Sequence, residues 1–130
     1  DKETKKYEQM VKASAQAVMA GRDPLEGPVW VRIDAFIPIP KSTPKYKQAL
    51  MRAGEMRPAK KPDLDNIAKA ILDGINAIVF VDDSQVCALG LRKFYSDHPR
   101  VETTVGQIPE PENARKTRNS ARQTPMDGAR

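Results

Sequence analysis

Lys61-Pro62-Asp63-Leu64-Asp65-Asn66-Ile67-Ala68-Lys69 is where an extended segment of the chain turns into a helix. Pro62 disfavours helix for the residue before it, so the stretch begins extended. Along an extended segment, residues i and i+2 point the same way. Asp63 and Asp65 therefore present two carboxylates to one point as the helix starts. The helix is expected from Asn66 to about Asn76, with Asp65 or Asn66 as N-cap and Ile67, Ala70, Ile71, Gly74, Ile75 and Ile78 as one apolar stripe. Lys69 shares a face with Asp65 one turn on. The helix N-terminus adds partial positive charge at the same place.

Downstream, a short apolar strand is expected at Ile78–Val81, ending at Asp82-Asp83-Ser84. The crossover is short, which is expected to return Asp82 and Asp83 close to the helix start. A longer strand follows from Gln85 to about Tyr95. Ser96-Asp97-His98-Pro99 makes a turn, and Arg100–Ile108 returns as a hairpin partner with Val101, Thr103 and Val105 on one face. From Pro109 periodicity disappears, so residues 1–108 read as one domain and 109–130 as a disordered, weakly basic tail.

Upstream, residues 41–62 hold seven basic residues, Lys41, Lys45, Lys47, Arg52, Arg57, Lys60 and Lys61, against the single acid Glu55. A short helix fits Lys45–Ala53, stopped at Gly54, and the remainder reads as loop. Before it, Val29, Val31, Ile33, Ala35 and Ile37 alternate with Trp30, Arg32, Asp34 and Phe36, which makes Pro28–Pro40 a strand. Residues 4–20 carry Tyr7, Met10, Val11, Val18 and Met19 at helical spacing, and Gly21 and Pro24 stop that helix. The fold class that results is α+β, a compact α/β arrangement of a small mixed sheet with two main helices packed on it.

The formal charge of +5 on 130 residues makes a polyanionic partner plausible, and the clustering at 41–61 points to phosphate contacts. With aromatics at 5%, extensive base stacking is not the expected binding mode. The single cysteine, Cys87, excludes an internal disulfide and favours a reducing, cytoplasmic home. No apolar run approaches the roughly 20 residues that span a bilayer.

Carboxylates converging from two stretches need either protons or a hard cation between them. All-oxygen ligation beside one lysine suits Mg²⁺ or Mn²⁺, which keep waters and bind phosphate. Zinc is a poor fit, because His98 and Cys87 are solitary. An EF-hand loop is excluded by the absent twelve-residue pattern, and no Asp-Thr/Ser-Gly signature of aspartic proteases is present. Taken singly, each member has a plainer reading: Asp63 or Asp65 as a helix cap, Asp82-Asp83-Ser84 as a turn, Lys69 as a solvated lysine, the 41–61 segment as a charged insertion.

Asp63-Leu64-Asp65-Asn66-x-x-Lys69, then Ile71-Leu72-Asp73-Gly74, then Val81-Asp82-Asp83-Ser84-Gln85-Val86 together resemble the RusA-type Holliday junction resolvases. The resemblance is strong over residues 58–108 and looser before them. It implies a homodimeric, phage- or prophage-associated endodeoxyribonuclease that binds four-way DNA junctions and makes paired nicks with Mg²⁺ in recombination and repair. By motif match, the catalytic residues fall on Asp63, Asp65, Lys69 and Asp83, with Asp82 a further metal-ligand candidate. Lys41, Lys45, Lys47, Arg52, Arg57, Lys60 and Lys61 are the expected DNA contacts. The family usually opens with a strand and a Pro/Lys/Arg-rich stretch upstream of the first helix, which this sequence lacks. Three other readings are open at this point: a nuclease for flaps or other branched DNA, a non-catalytic DNA-binding homologue, and an acidic protein-interaction surface.

Overall fold

The computed structural model describes residues 2–114. Its elements in chain order are α1 (Lys2–Val18), β1 (Val29–Pro38), α2 (Lys45–Arg52), α3 (Leu64–Ile75), a single 3₁₀ turn (Asp83–Gln85), β2 (Val86–Ser96) and β3 (Arg100–Gln107). The expected tail lies outside the described residues from 115 onward.

β1 is the centre of a three-stranded sheet of order β2-β1-β3, parallel to β2 and antiparallel to β3. The alternation in its sequence explains the position. Val29, Val31, Ile33 and Ala35 are 0–2% exposed, as suits a strand flanked on both sides and covered by helices. The expected β2–β3 hairpin is therefore corrected: the Asp97-His98-Pro99 link carries the chain past the end of β1, and β3 pairs with β1. The expected inner face of β3, Val101, Thr103 and Val105, is the half-buried one. On the opposite face Trp30 lies across Gly106, where the ring occupies the space a Cβ would take.

α1 and α3 cover the inner face of the sheet, and Ala15, Ile67, Ala68, Ile71 and Ile75 join the β1 residues in one core. The two helices approach closely because Gly74 has no side chain: a Cβ there would stand 2.6 Å from Val11 Cγ1. The expected strand at Ile78–Val81 is absent. After α3 the backbone turns through Ala77 at φ 67°, and the Ile78 and Val79 N–H groups donate back to the Ile75 carbonyl. Phe80 forms only isolated bridges, to Leu25 and Asn76, and serves as a fully buried plug. These apolar residues close the bottom of the core.

The direction of α3 fixes the geometry of everything acidic. At its start, Lys93 Nζ on β2 donates to the carbonyls of Lys60 (2.8 Å) and Pro62 (3.0 Å). At its far end, the chain reaches Leu25 and Gly27, just ahead of β1, through the Gln85 side chain. α3 thus runs antiparallel to β1 and β2.

Candidate active site

The Lys61–Pro62 peptide is cis, and α3 begins at Leu64, earlier than expected. Asp63 occupies the N-cap position with extended backbone, but its carboxylate makes no capping bond. The Ile67 N–H is satisfied by the Asp63 carbonyl instead, at 3.1 Å. Neither Asp65 nor Asn66 is the cap: both sit within the first turn. Asp63 and Asp65 are exposed, at the positive end of the helix dipole. Lys69 is one turn further on and pairs with Asp73 at 3.3 Å.

The second acidic stretch divides its two carboxylates between different jobs. Asp82 caps the 3₁₀ turn: its Oδ2 accepts from the Ser84 N–H at 3.0 Å, and the Asp82 N–H donates to Gln85 Oε1 at 2.9 Å. The hydrogen bonds from Ser84 hold the Asp82 carboxyl below the usual carboxylate range. Gln85 Nε2 anchors the turn to the carbonyls of Leu25 (3.0 Å) and Gly27 (2.8 Å). The exposed Asp83 carboxylate has no role in that cap. Of the neighbouring pair, Asp82 is committed to local structure and Asp83 is available.

Asp63 and Asp65 do not meet Asp83 within one chain. Lys93, beside the start of α3, stands seven residues along β2 from Val86, which follows the 3₁₀ turn. That separation is about 23 Å at ordinary strand rise. α3 itself spans about 18 Å. Among the described residues, no group of three His, Cys, Asp or Glu side chains could hold a metal ion. The expected return of Asp82 and Asp83 to the helix start is corrected, because the crossover delivers them to the other end of the antiparallel helix. The carboxylates of one protomer therefore do not fit a three-ligand Mg²⁺ site.

The basic arm is ordered around α2. Lys41, Lys45, Lys47, Lys60 and Lys61 are exposed. Arg52 is occupied: its guanidinium donates to Asp97 at 2.8 and 3.3 Å, tying α2 to the link between β2 and β3. Arg57 lies over the Phe94 ring at 4.2 Å. An open groove of about 770 Å³ lies elsewhere, between α1 and β3, and none of the aspartates Asp63, Asp65, Asp82 or Asp83 lines it.

The profile of the Endodeoxyribonuclease RusA family matches residues 1–106, which hold every one of these side chains. The chain belongs to the RusA endodeoxyribonuclease family. It is also 40% identical over 86 residues to Uncharacterized protein YqaN of Bacillus subtilis (strain 168), covering 65% of this chain and 61% of that relative. The chain thus spans about three fifths of the length of the curated relative it matches.

Within this RusA-family domain several residues that position the site carry no local signal in the sequence. Lys93 reads as one more basic strand residue until its carbonyl partners are known. Gln85 reads as the first residue of a strand but holds the 3₁₀ turn against the segment before β1. On the outer sheet face, Phe36 and Phe94 stack at 5.4 Å between centroids, with Arg92 over Phe94 and Arg100 over Phe36. Arg92 also clasps the buried Asp34 with two bonds, of 2.8 and 3.1 Å. Strand pairing creates these contacts: Phe36 faces Phe94, and Asp34 faces Arg92. Among the described residues, no helix is long and apolar enough to cross a membrane.

Proposed function

We propose that this chain is a Mg²⁺- or Mn²⁺-dependent endodeoxyribonuclease that, as a homodimer, resolves Holliday junctions by paired nicks. The observation that carries the reading is the family match over residues 1–106, which includes intact Asp63, Asp65, Lys69 and Asp83. A bound divalent ion would supply Lewis acidity and a lowered pKa for attacking water. The chain's own residues do the rest. Lys41, Lys45, Lys47, Lys60 and Lys61 neutralise backbone phosphates, which gives affinity without sequence readout. The N-terminus of α3 adds a favourable field for a phosphate drawn up to Asp63 and Asp65. Lys69, cationic and exposed, offsets charge accumulating on the phosphoryl oxygens in the transition state. Its exchange of Asp73 for a phosphate oxygen costs little, since exposed ion pairs of this kind are weak.

The test is cleavage of end-labelled four-way junction, flap and duplex by the full chain, with Mg²⁺, with Mn²⁺ and with chelator. Junction cutting that needs the metal and disappears in Asp65→Asn supports the reading. A chain that binds junctions but never cuts them is a DNA-binding homologue instead, and preferential cutting of flaps reassigns the substrate.

A further inference from the structure

Resting on that reading, we infer that the outer face of the sheet binds the phosphate backbone of a second arm of the branched DNA, through Arg32, Arg57 and Arg100. α1 and α3 cover the inner face. The outer one carries Arg32, Asp34 and Phe36 of β1, Arg92 and Phe94 of β2, and Arg100 of β3. Arg32, Arg92 and Arg100, with Arg57 laid over the face, outnumber the carboxylates Asp34 and Glu102, and Asp34 is buried. What this face presents outward is positive charge, complementary to a polyanion.

The guanidiniums are held in place before any ligand arrives. Phe36 and Phe94 stack at 5.4 Å, with Arg57 4.2 Å from the Phe94 centroid and Arg100 3.9 Å from that of Phe36. Each ring already carries a guanidinium, so the rings are platforms for arginine and not for bases. A planar guanidinium laid on a ring keeps its N–H edge free for phosphate and loses less freedom on binding than a lysine does. Among the described residues, Arg57 has no hydrogen-bond partner at all. Arg100 spends Nε on Glu102 at 2.7 Å and Nη1 on the His98 carbonyl at 2.8 Å, which leaves Nη2. Arg32 is half exposed and meets Asp34 only at 3.8 Å, and its strand neighbours Gly90 and Thr104 leave the floor beside it open. Arg92 is spent on Asp34 and braces the face from below.

The place of this surface in the fold makes it a second-arm site. The loop between α2 and α3 crosses the free edge of β2: Arg57 lies over Phe94 on the outer face, and Lys60 and Pro62 are held by Lys93, which pairs with core-facing Ala35. DNA seated at the start of α3 and on the lysines of this loop lies along one side of that edge. The next arm of a junction, diverging there, passes over the edge onto the arginines. Their band crosses three strands, about 10 Å at ordinary strand spacing. That exceeds the roughly 3.4 Å of helix axis between successive phosphates of one strand, so more than one phosphate is reached. A linear duplex has no second arm to lay there.

The test compares a four-way junction with a linear duplex of one arm's sequence, bound by the full chain in chelator across a salt series. For Arg32→Gln with Arg100→Gln, junction affinity is expected to fall about 10-fold and the slope of log K against log salt to drop by about 2. Duplex affinity and slope are expected to stay as in wild type. Arg32→Gln alone removes an exposed side chain outside the core and is expected to lower the junction slope by about 1, which separates lost binding from lost folding. Arg100→Lys keeps the charge without the planar stack, and is expected to keep the slope while weakening the junction complex. A wild type that cuts junctions while these variants leave the junction slope unchanged overturns the inference alone. So do losses that are equal on junction and duplex, which place the arginines on the same arm as the lysines. A wild type that neither binds nor cuts any branched DNA removes the functional reading, and this inference with it.

Discussion

The ammonium group of Lys93 donates to the Pro62 carbonyl at 3.0 Å and to the Lys60 carbonyl at 2.8 Å, strapping the start of α3 to β2. Without that strap Lys60 and Pro62, on the approach to Asp63, lose their anchor on the sheet. Lys93→Met keeps the aliphatic stem and removes the donors. The expected result is a loss of about 1 kcal/mol in denaturant unfolding, the ordinary worth of such bonds. Junction cleavage at saturating DNA is expected to fall about 10-fold with junction affinity unchanged, since the side chain positions the carboxylates and does not bind phosphate. Single-turnover cleavage and a binding isotherm separate the two quantities.

Gly74 faces Val11 across the α1–α3 contact, with no room for a methyl group. Gly74→Ala raises helix propensity but overpacks the contact. The net destabilisation is expected at about 1–3 kcal/mol, the usual range for forcing a close-packed core. Urea unfolding measures it, and Gly74→Ala combined with Val11→Ala is expected to recover part of the loss.

Gly106 lies under Trp30, the one tryptophan of the sequence. A Cβ at 106 displaces the indole ring. Gly106→Ala is expected to shift tryptophan emission to the red and to lower the unfolding midpoint together, because the ring leaves its place against the sheet. An unchanged spectrum contradicts the packing described.

The Asp34 carboxyl is held below the ordinary carboxylate range, chiefly by its hydrogen bond from Arg92 and further by the charges of Arg92 and Arg32, against an opposing effect of burial. A carboxyl depressed on folding adds stability above its unfolded value, near 3.9, and loses it as pH falls through the lower folded value. Acid unfolding is therefore expected to steepen below about pH 4. Asp34→Asn is expected to lower stability at neutral pH and to flatten that acid limb, read from urea midpoints between about pH 2 and 6.

Arg52 and the arm lysines are expected to separate in salt titrations. Lys45→Gln and Lys47→Gln should each weaken junction binding and lower the slope of log K against log salt by about 1. Arg52→Gln, already spent on Asp97, is expected to change the slope far less and the stability of α2 more. Filter binding across a salt series distinguishes them.

The central strand, both core helices and α2 were legible because each carries its own period: alternation in Val29–Ala35, helical stripes in Tyr7–Met19 and Ile67–Ile75. The pairing of β3 was not, because Val101-Thr103-Val105 presents the same alternation to either neighbour. The Ile78–Val81 run illustrates the limit of short apolar stretches, which fit a strand or a buried turn equally well. For the site, local motifs identified Asp63, Asp65, Lys69 and Asp83 as candidates. Their spacing in space was not legible, since it depends on which way α3 crosses the sheet. The Lys93 strap that records this direction joins residues far apart in sequence.

Junction resolution by this chain is tested by mapping the products when the full chain meets a four-way junction labelled on each strand in turn with Mg²⁺ present. Nicks are expected at symmetric positions on two opposing strands, carrying 5′-phosphates and absent in chelator or in Asp65→Asn. Intact strands throughout, or cutting that persists unchanged in Asp65→Asn, would contradict it.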